Sequence, residues 1–177
     1  MEKRLQVGTQ AIIAAIAIAM ILTGCVTQNG AARDLAPPEA FAFAGEDPAL
    51  NGEWFRISSF WWGDAEIVFE EEFVFENGAW EGRTDGYPEV RGIYTARGGE
   101  ITLRITHVSA NMFHEFGVAP GWHSREDLAA FFAGLGAPED FLREISQMFY
   151  PFEETYSVTG DTLTLTFHGD TLALTRR

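Results

Sequence analysis

Near its end the chain alternates between apolar and hydroxyl side chains. Leu163, Leu165 and Phe167 are separated by Thr162, Thr164 and Thr166. Ile101, Leu103 and Ile105 alternate in the same way with Thr102, Arg104 and Thr106. A period of two puts one set on a buried face and the other in water, which is the habit of an antiparallel sheet. The turn residues fit the same reading. Asn77-Gly78, Gly98-Gly99, Gly160-Asp161 and His168-Gly169-Asp170 each sit between two strand-like runs, and pairs such as Asn-Gly favour tight hairpins.

Eight strands are predicted, at 53–59, 66–76, 79–83, 90–97, 100–108, 155–159, 162–167 and 171–175. Strands joined mostly by tight hairpins can close on themselves and so remove exposed edges. The expected fold is mainly β: an eight-stranded antiparallel up-and-down barrel, with two packed sheets as the alternative. Residues 109–150 form a helical insertion between strands five and six. Ser124 with an acid at Asp127 suits a helix start. Leu128, Phe131, Phe132 and Leu135 follow at helical spacing, and Gly136 ends the run. Pro138 opens a second helix, whose apolar face holds Phe141, Leu142, Ile145 and Phe149. The insertion is expected to cover the outer wall or the open end of the barrel.

No disulfide can hold this barrel, because the chain has one cysteine, Cys25. Packing must do so, and 15 Phe, 5 Trp and 4 Tyr supply the apolar area. The net charge of −14 argues against nucleic acid, which needs a basic face.

The N-terminus is of a different kind. Lys3 and Arg4 precede an apolar run from Ala11 to Leu22, and small residues lead into Cys25. The order is that of an export signal. Twelve residues are too few for a membrane span, which needs about 20. An ordinary signal peptide that happens to precede a cysteine is the other alternative. The run Leu22-Thr23-Gly24-Cys25 resembles the lipobox of bacterial lipoproteins. That resemblance implies cleavage between Gly24 and Cys25, a diacylglycerol on the Cys25 sulfur and a fatty acyl chain such as palmitate on the freed amine. The membrane is thus a partner through Cys25. Val26 follows where many bacteria with two membranes place an inner-membrane retention Asp, so the resemblance implies the outer membrane. The domains expected are a signal peptide at 1–24, a lipidated flexible tether at 25–50 and a barrel domain at 51–177. The tether reading rests on Gln28-Asn29-Gly30, Pro37-Pro38 and the absence of a period; Phe41-Ala42-Phe43 lies within it.

The first strand opens Asn51-Gly52-Glu53-Trp54. Gly-x-Trp at the start of an eight-stranded antiparallel barrel resembles the lipocalin signature. In lipocalins the Trp closes the barrel base and an Arg near the last strand packs over its ring. Gly52, Trp54 and Arg176 match those positions, and the resemblance implies a structural role for all three. Lipocalins place a helix after the last barrel strands, whereas here the helices interrupt the barrel, so the resemblance is to a lipocalin-like barrel over residues 51–177.

A binding site would show as polar or reactive groups at inward positions. Glu71 shares its parity with Ile67, Phe69, Phe73 and Phe75, and a buried carboxylate is costly unless paired. It is either a ligand anchor or turned outward by a bulge at Glu70-Glu71-Glu72. His107 shares the parity of Ile101, Leu103 and Ile105. It is read as inward-facing, either a ligand contact or a satisfied histidine at the core or rim. Phe60-Trp61-Trp62-Gly63 is read as a loop after the first strand. Trp61 and Trp62 would serve a cavity mouth, a partner patch or a membrane-interface contact, or pack beneath the helices.

His107, His114, His123 and His168 are scattered, with no metal-ligand spacing. Neither a Gly-x-Ser-x-Gly elbow nor a phosphate loop occurs. No enzyme activity, metal or cofactor is expected. Two functions remain. The first is a membrane-anchored lipocalin-like lipoprotein that binds a small apolar or amphipathic ligand in the cell envelope. The second is a non-catalytic envelope lipoprotein with a filled barrel that binds a protein partner. Phe69, Phe73, Phe75, Leu103, Leu163, Leu165, Phe167 and Leu172 are numerous and large enough to fill an eight-stranded interior.

Overall fold

A computed structural model describes residues 47–167 and 170–177. The leader, the Gly24–Cys25 bond, the tether up to residue 46 and the His168-Gly169 turn lie outside these residues.

Nine strands are present: β1 (Gly52–Trp62), β2 (Ala65–Glu76), β3 (Ala79–Thr84), β4 (Tyr87–Arg97), β5 (Glu100–Ser109), β6 (Trp122–His123), β7 (Phe152–Thr159), β8 (Thr162–Phe167) and β9 (Asp170–Arg176). Every pairing is antiparallel. Each strand from β1 to β5 pairs with the next, β5 pairs with β7, and β9 returns to β1. Eight strands therefore close a barrel, as expected, while β6 is a two-residue stub on the end of β5.

Between β5 and β7 lie a 3-10 helix (Ala110–Phe116), β6, α1 (Arg125–Gly134) and α2 (Glu139–Gln147). Ser124 and Asp127 form the expected capping box at the start of α1. Gly136 takes the left-handed conformation, φ +75°, that stops it. The insertion builds its centre around Phe132, whose ring meets Phe113, Phe116, Phe131 and Phe141 edge-on at 5.1–5.5 Å between centroids. Leu128, Phe132, Ile145 and Phe149 belong to one continuous core with the barrel residues. Leu135 instead remains exposed.

The strands differ greatly in height. β1 and β2 pair along their whole length, from Gly52–Phe75 to Trp62–Ala65. By contrast β9 pairs with β1 only at Trp54–Arg176 and Phe55–Thr175. That narrow seam is held from the side. Trp54 is fully buried, and its indole N–H donates to Leu50 O at 2.7 Å. The Arg176 guanidinium lies 4.2 Å from the Trp54 ring centroid and donates to Asn51 O at 2.9 Å and Ala49 O at 2.8 Å. Gly52 has φ +135°, and a Cβ there would stand 3.1 Å from Arg176 Nη1. Gly52, Trp54 and Arg176 thus come together at one closure. Tyr156 adds a second tie, donating to Asp47 Oδ2 at 2.6 Å. Burial raises the Tyr156 phenol pKa, and the bond to Asp47 raises it further.

Two register shifts change which residues face inward. The β4–β5 ladder jumps from Arg91–His107 to Gly92–Ile105, leaving Thr106 as an extra residue. The β3–β4 ladder jumps from Gly82–Val90 to Arg83–Pro88, leaving Glu89 as another. A bulge of this kind inverts the facing of everything beyond it.

Removing Arg176 should loosen the barrel. Arg176→Ala loses the stacked cation and the donors to two carbonyls, the part-buried Asn51 O and the exposed Ala49 O. It is expected to cost about 2 kcal/mol in urea unfolding. Arg176→Lys, which keeps the charge but not the fork, should recover only part of that.

Candidate functional site

Along β1 the residues of Trp54's parity are Arg56, Ser58 and Phe60. Along β2 the inward set is Ile67, Phe69, Glu71, Phe73 and Phe75. The ladder pairs Trp54 with Phe73, Arg56 with Glu71 and Ser58 with Phe69. The lower interior is apolar and buried. Trp54, Phe75, Tyr94, Ile101, Leu163, Leu165 and Leu174 are each at most 1% exposed, and Phe75 meets Tyr94 edge-on at 5.1 Å. Trp80 also fits here, because its β4 partner is Gly92, where any Cβ would stand 2.6 Å from the indole nitrogen.

One layer higher the interior turns polar. Glu71 is buried, and β2 runs through Glu70-Glu71-Glu72 in unbroken register with β1. The inward alternative for Glu71 is therefore the observed one, and the outward-turning bulge is absent from that ladder. Its Oε2 accepts from Arg56 Nε and from Ser58 Oγ. Thr84 is the β3 partner of Glu71. Thr84 also hydrogen-bonds the side chain of Glu89, the bulged residue. Burial raises the Glu89 carboxyl pKa, the bond to Thr84 lowers it, and the charges of Glu71 and Asp85 raise it again. Five polar groups thus meet on the β1–β4 wall, above the filled apolar base. Phe69 and Phe60 lie above them, their rings edge-on at 5.8 Å.

His107 does not join this cluster. The Thr106 bulge takes it out of phase with Ile105, and Val108 fills the buried place instead, at 0% exposure. The inward reading of His107 is corrected on that ground. Its neighbours are on the wall outside. It is paired with Arg91, whose guanidinium lies 4.6 Å from the Trp122 ring centroid. Burial and Arg91 lower the His107 pKa, opposed by Asp127 at the start of α1.

The aromatic run also differs from its expected place. β1 continues to Trp62, and the turn comes only at Gly63-Asp64, so Phe60-Trp61-Trp62 is strand and not loop. Phe and Trp favour strands, and the first residue able to turn the chain is Gly63, at φ +59°. Trp61 is 70% exposed on the outer face. The side chain of Trp62 lies outside those described.

The outer wall carries a separate ionic ladder. Glu72 is buried between Arg83, at 3.1 Å, and Arg177, at 2.6 Å, and Arg177 also bonds Glu70. Arg83 reaches Glu81 at 2.6 Å as well. These groups satisfy one another and hold β2, β3 and Arg177 together. Among the described residues, no group of three or more His, Cys, Asp or Glu side chains could hold a metal ion.

Sequence reasoning missed Arg56, Ser58, Thr84 and Glu89. A signal for the first two was present, since both share the parity of Trp54 on one strand. Glu89 had none, because its place depends on a bulge.

No protein-family model matches this chain, and no curated protein does. Among solved structures it is similar to an uncharacterized protein from Bacteroides eggerthii DSM 20697. The identity is 13% and the TM-score 0.39, over 72% of this chain and 99% of that one.

Breaking the inner ion pair should cost more than removing it. Glu71→Ala leaves Arg56 partly buried and unpaired. It is expected to lose about 2 kcal/mol, a figure held down by the access of Arg56 to water. Arg56→Met combined with Glu71→Leu should stay within about 1 kcal/mol of the natural chain by the same unfolding assay.

Glu89 gives a pH signature. Its folded pKa lies above its unfolded value of 4.5. The stability it contributes is therefore complete below pH 4.5 and lost as pH rises through the folded pKa. Glu89→Gln should raise the urea midpoint at pH 7 and leave it nearly unchanged at pH 4.

Proposed function

We propose that this protein is a lipid-anchored, lipocalin-like barrel that binds one small amphipathic molecule in the bacterial cell envelope. The observation that carries the reading is the Arg56–Glu71–Ser58 group. It places a charged pair inside a barrel whose base is filled by apolar side chains. Burying two charges costs free energy that their attraction often fails to return, and an apolar pair of similar volume packs as well or better. A buried pair of this kind is thus weakly explained by stability, which leaves recognition as its role in this reading. Ligand sites of this type are mostly apolar, with a few convergent polar groups that fix orientation.

The ligand's polar end meets Arg56, Ser58, Glu71 and Glu89, and its apolar part lies against Phe69, Phe60 and Ile67. Cys25, acylated after cleavage at Gly24, holds the barrel to the membrane, with the outer membrane favoured by Val26. Two or three acyl chains make such an anchor firm, where one chain alone is marginal.

The filled lower barrel favours a second reading, a partner-binding lipoprotein in which the ion pair is only structural. Native mass spectrometry of the lipidated protein purified from its bacterial host separates the two. The natural chain should carry one small molecule per barrel. The variant with Arg56→Met and Glu71→Leu should fold and arrive empty. A natural chain without a bound molecule, or a folded double variant that retains one, would sink the ligand reading in favour of the second.

A further inference from the structure

The end of the β1–β2 hairpin extends past the ladders of the neighbouring strands, while its lower part, at Phe69 and Glu71, stays buried. Beyond Phe55, β1 has no ladder partner except β2 among the described residues. Beyond Glu71, β2 has none except β1, although the Glu70 backbone still bonds Asp85. What remains is a two-stranded ribbon from Ile57–Glu70 to Trp62–Ala65, closed by Gly63-Asp64.

This ribbon exposes apolar side chains on both faces. Ile57, Trp61 and Val68 project outward, and are 62%, 70% and 59% exposed. Phe60 and Ile67, cross-strand partners on the inner face, are 36% and 42% exposed. A ribbon that served only to extend the barrel wall would be polar on one face. A docked protein would cover one face and leave the other wet. A lipid interface covers both.

We infer that the tip of this ribbon dips into the headgroup region of a bilayer, as a second membrane contact besides the acylated cysteine. Trp is enriched at that depth. The ribbon's open edges carry unpaired backbone groups, which are not tolerated in the hydrocarbon core, so the contact is shallow. Asp64 and Glu66 flank the tip, and the chain is acidic throughout, so the surface it suits is zwitterionic rather than anionic. Chain length permits the arrangement. The tip and Asp47 lie at opposite ends of β1, an 11-residue strand of about 36 Å. From Cys25 to Asp47 the chain advances 22 residues, which reach at most about 73 Å and average about 26 Å if flexible. A domain anchored at Cys25 can therefore lie on the membrane with its ribbon end down.

The inference rests on the lipid-anchor reading for its nearness to a membrane. The test uses the full-length chain, processed in a bacterial host and carrying Ala65→Cys at the tip. The new thiol is labelled with an environment-sensitive dye, and the protein is placed in phosphatidylcholine vesicles. A second protein carries Asp161→Cys, in the exposed turn at the opposite end. Acylated Cys25 cannot react, so one label per chain is expected.

The position-65 dye should shift to the blue and be shielded from aqueous iodide several-fold more than the position-161 dye. Adding Trp61→Ser and Val68→Ser should abolish that shielding. One label per chain with equal quenching at both positions would overturn the inference while the anchor stands, leaving a protein as the ribbon's cover. Shielding that survives both serines would overturn it too. Two labels per chain would remove the anchor, and the inference with it.

Discussion

The barrel depends on how its first and last strands are joined. β1 and β9 share only two register pairs, at Trp54–Arg176 and Phe55–Thr175. Ladder bonds alone make that a weak seam for eight strands. What closes it is Arg176, which stacks on Trp54 and donates to two carbonyls of the entering chain. The part-buried Asn51 O would carry a penalty of up to about 1–3 kcal/mol without a donor, whereas the exposed Ala49 O can turn to water. Arg177 continues the closure outside, through Glu70 and Glu72, with its own backbone N–H on Glu53 O at 3.0 Å. The last two residues of the chain thus clamp the first strand from both faces.

A base closed in this way leaves the upper barrel free to differ from it. β7, β8 and β9 are 8, 6 and 7 residues long, whereas β1 and β2 have 11 and 12. The short strands reach only part of the height of the tall ones. The inserted helices follow the upper end of β5, and their buried residues share one core with the barrel. The polar group at Arg56, Ser58 and Glu71 sits just where strand pairing between β1 and β9 has ended. Stability is concentrated below that level. The ion pair, costly to bury, lies above it.

Strand order, the helical insertion, the α1 capping box and the Trp54–Arg176 contact were legible in the sequence. Each follows from a local signal: period two, a turn dipeptide, a Ser followed by an acid, or a short motif. Glu71 was legible as a choice between two facings. His107 was not legible, because Thr106 breaks the phase one residue earlier. Nothing local marks Thr106 as an extra residue, since a bulge is decided by what the partner strand offers. Here that partner is Gly92, where a Cβ would stand 1.9 Å from Arg104 O, so the two backbones approach as only glycine allows. Arg56 and Ser58 were readable in principle. Only their shared parity with Trp54 sets them apart from other polar residues on a strand.

Two features of the upper end point in the same direction. Inside, Glu71 and Glu89 place carboxyl groups on the wall, while Phe69 and Phe60 rise above them as an apolar surface. Outside, the same two strands carry Ile57, Trp61 and Val68 into the surroundings. Phe60 and Ile67 belong to both features, because they face inward and yet remain partly exposed. A molecule whose tail lay on them would be in contact with whatever covers the ribbon. If that cover is lipid, the path between bilayer and polar wall is apolar throughout, and an amphipathic molecule could move along it without its tail crossing water. The apolar ribbon and the buried ion pair would then be the two ends of one route.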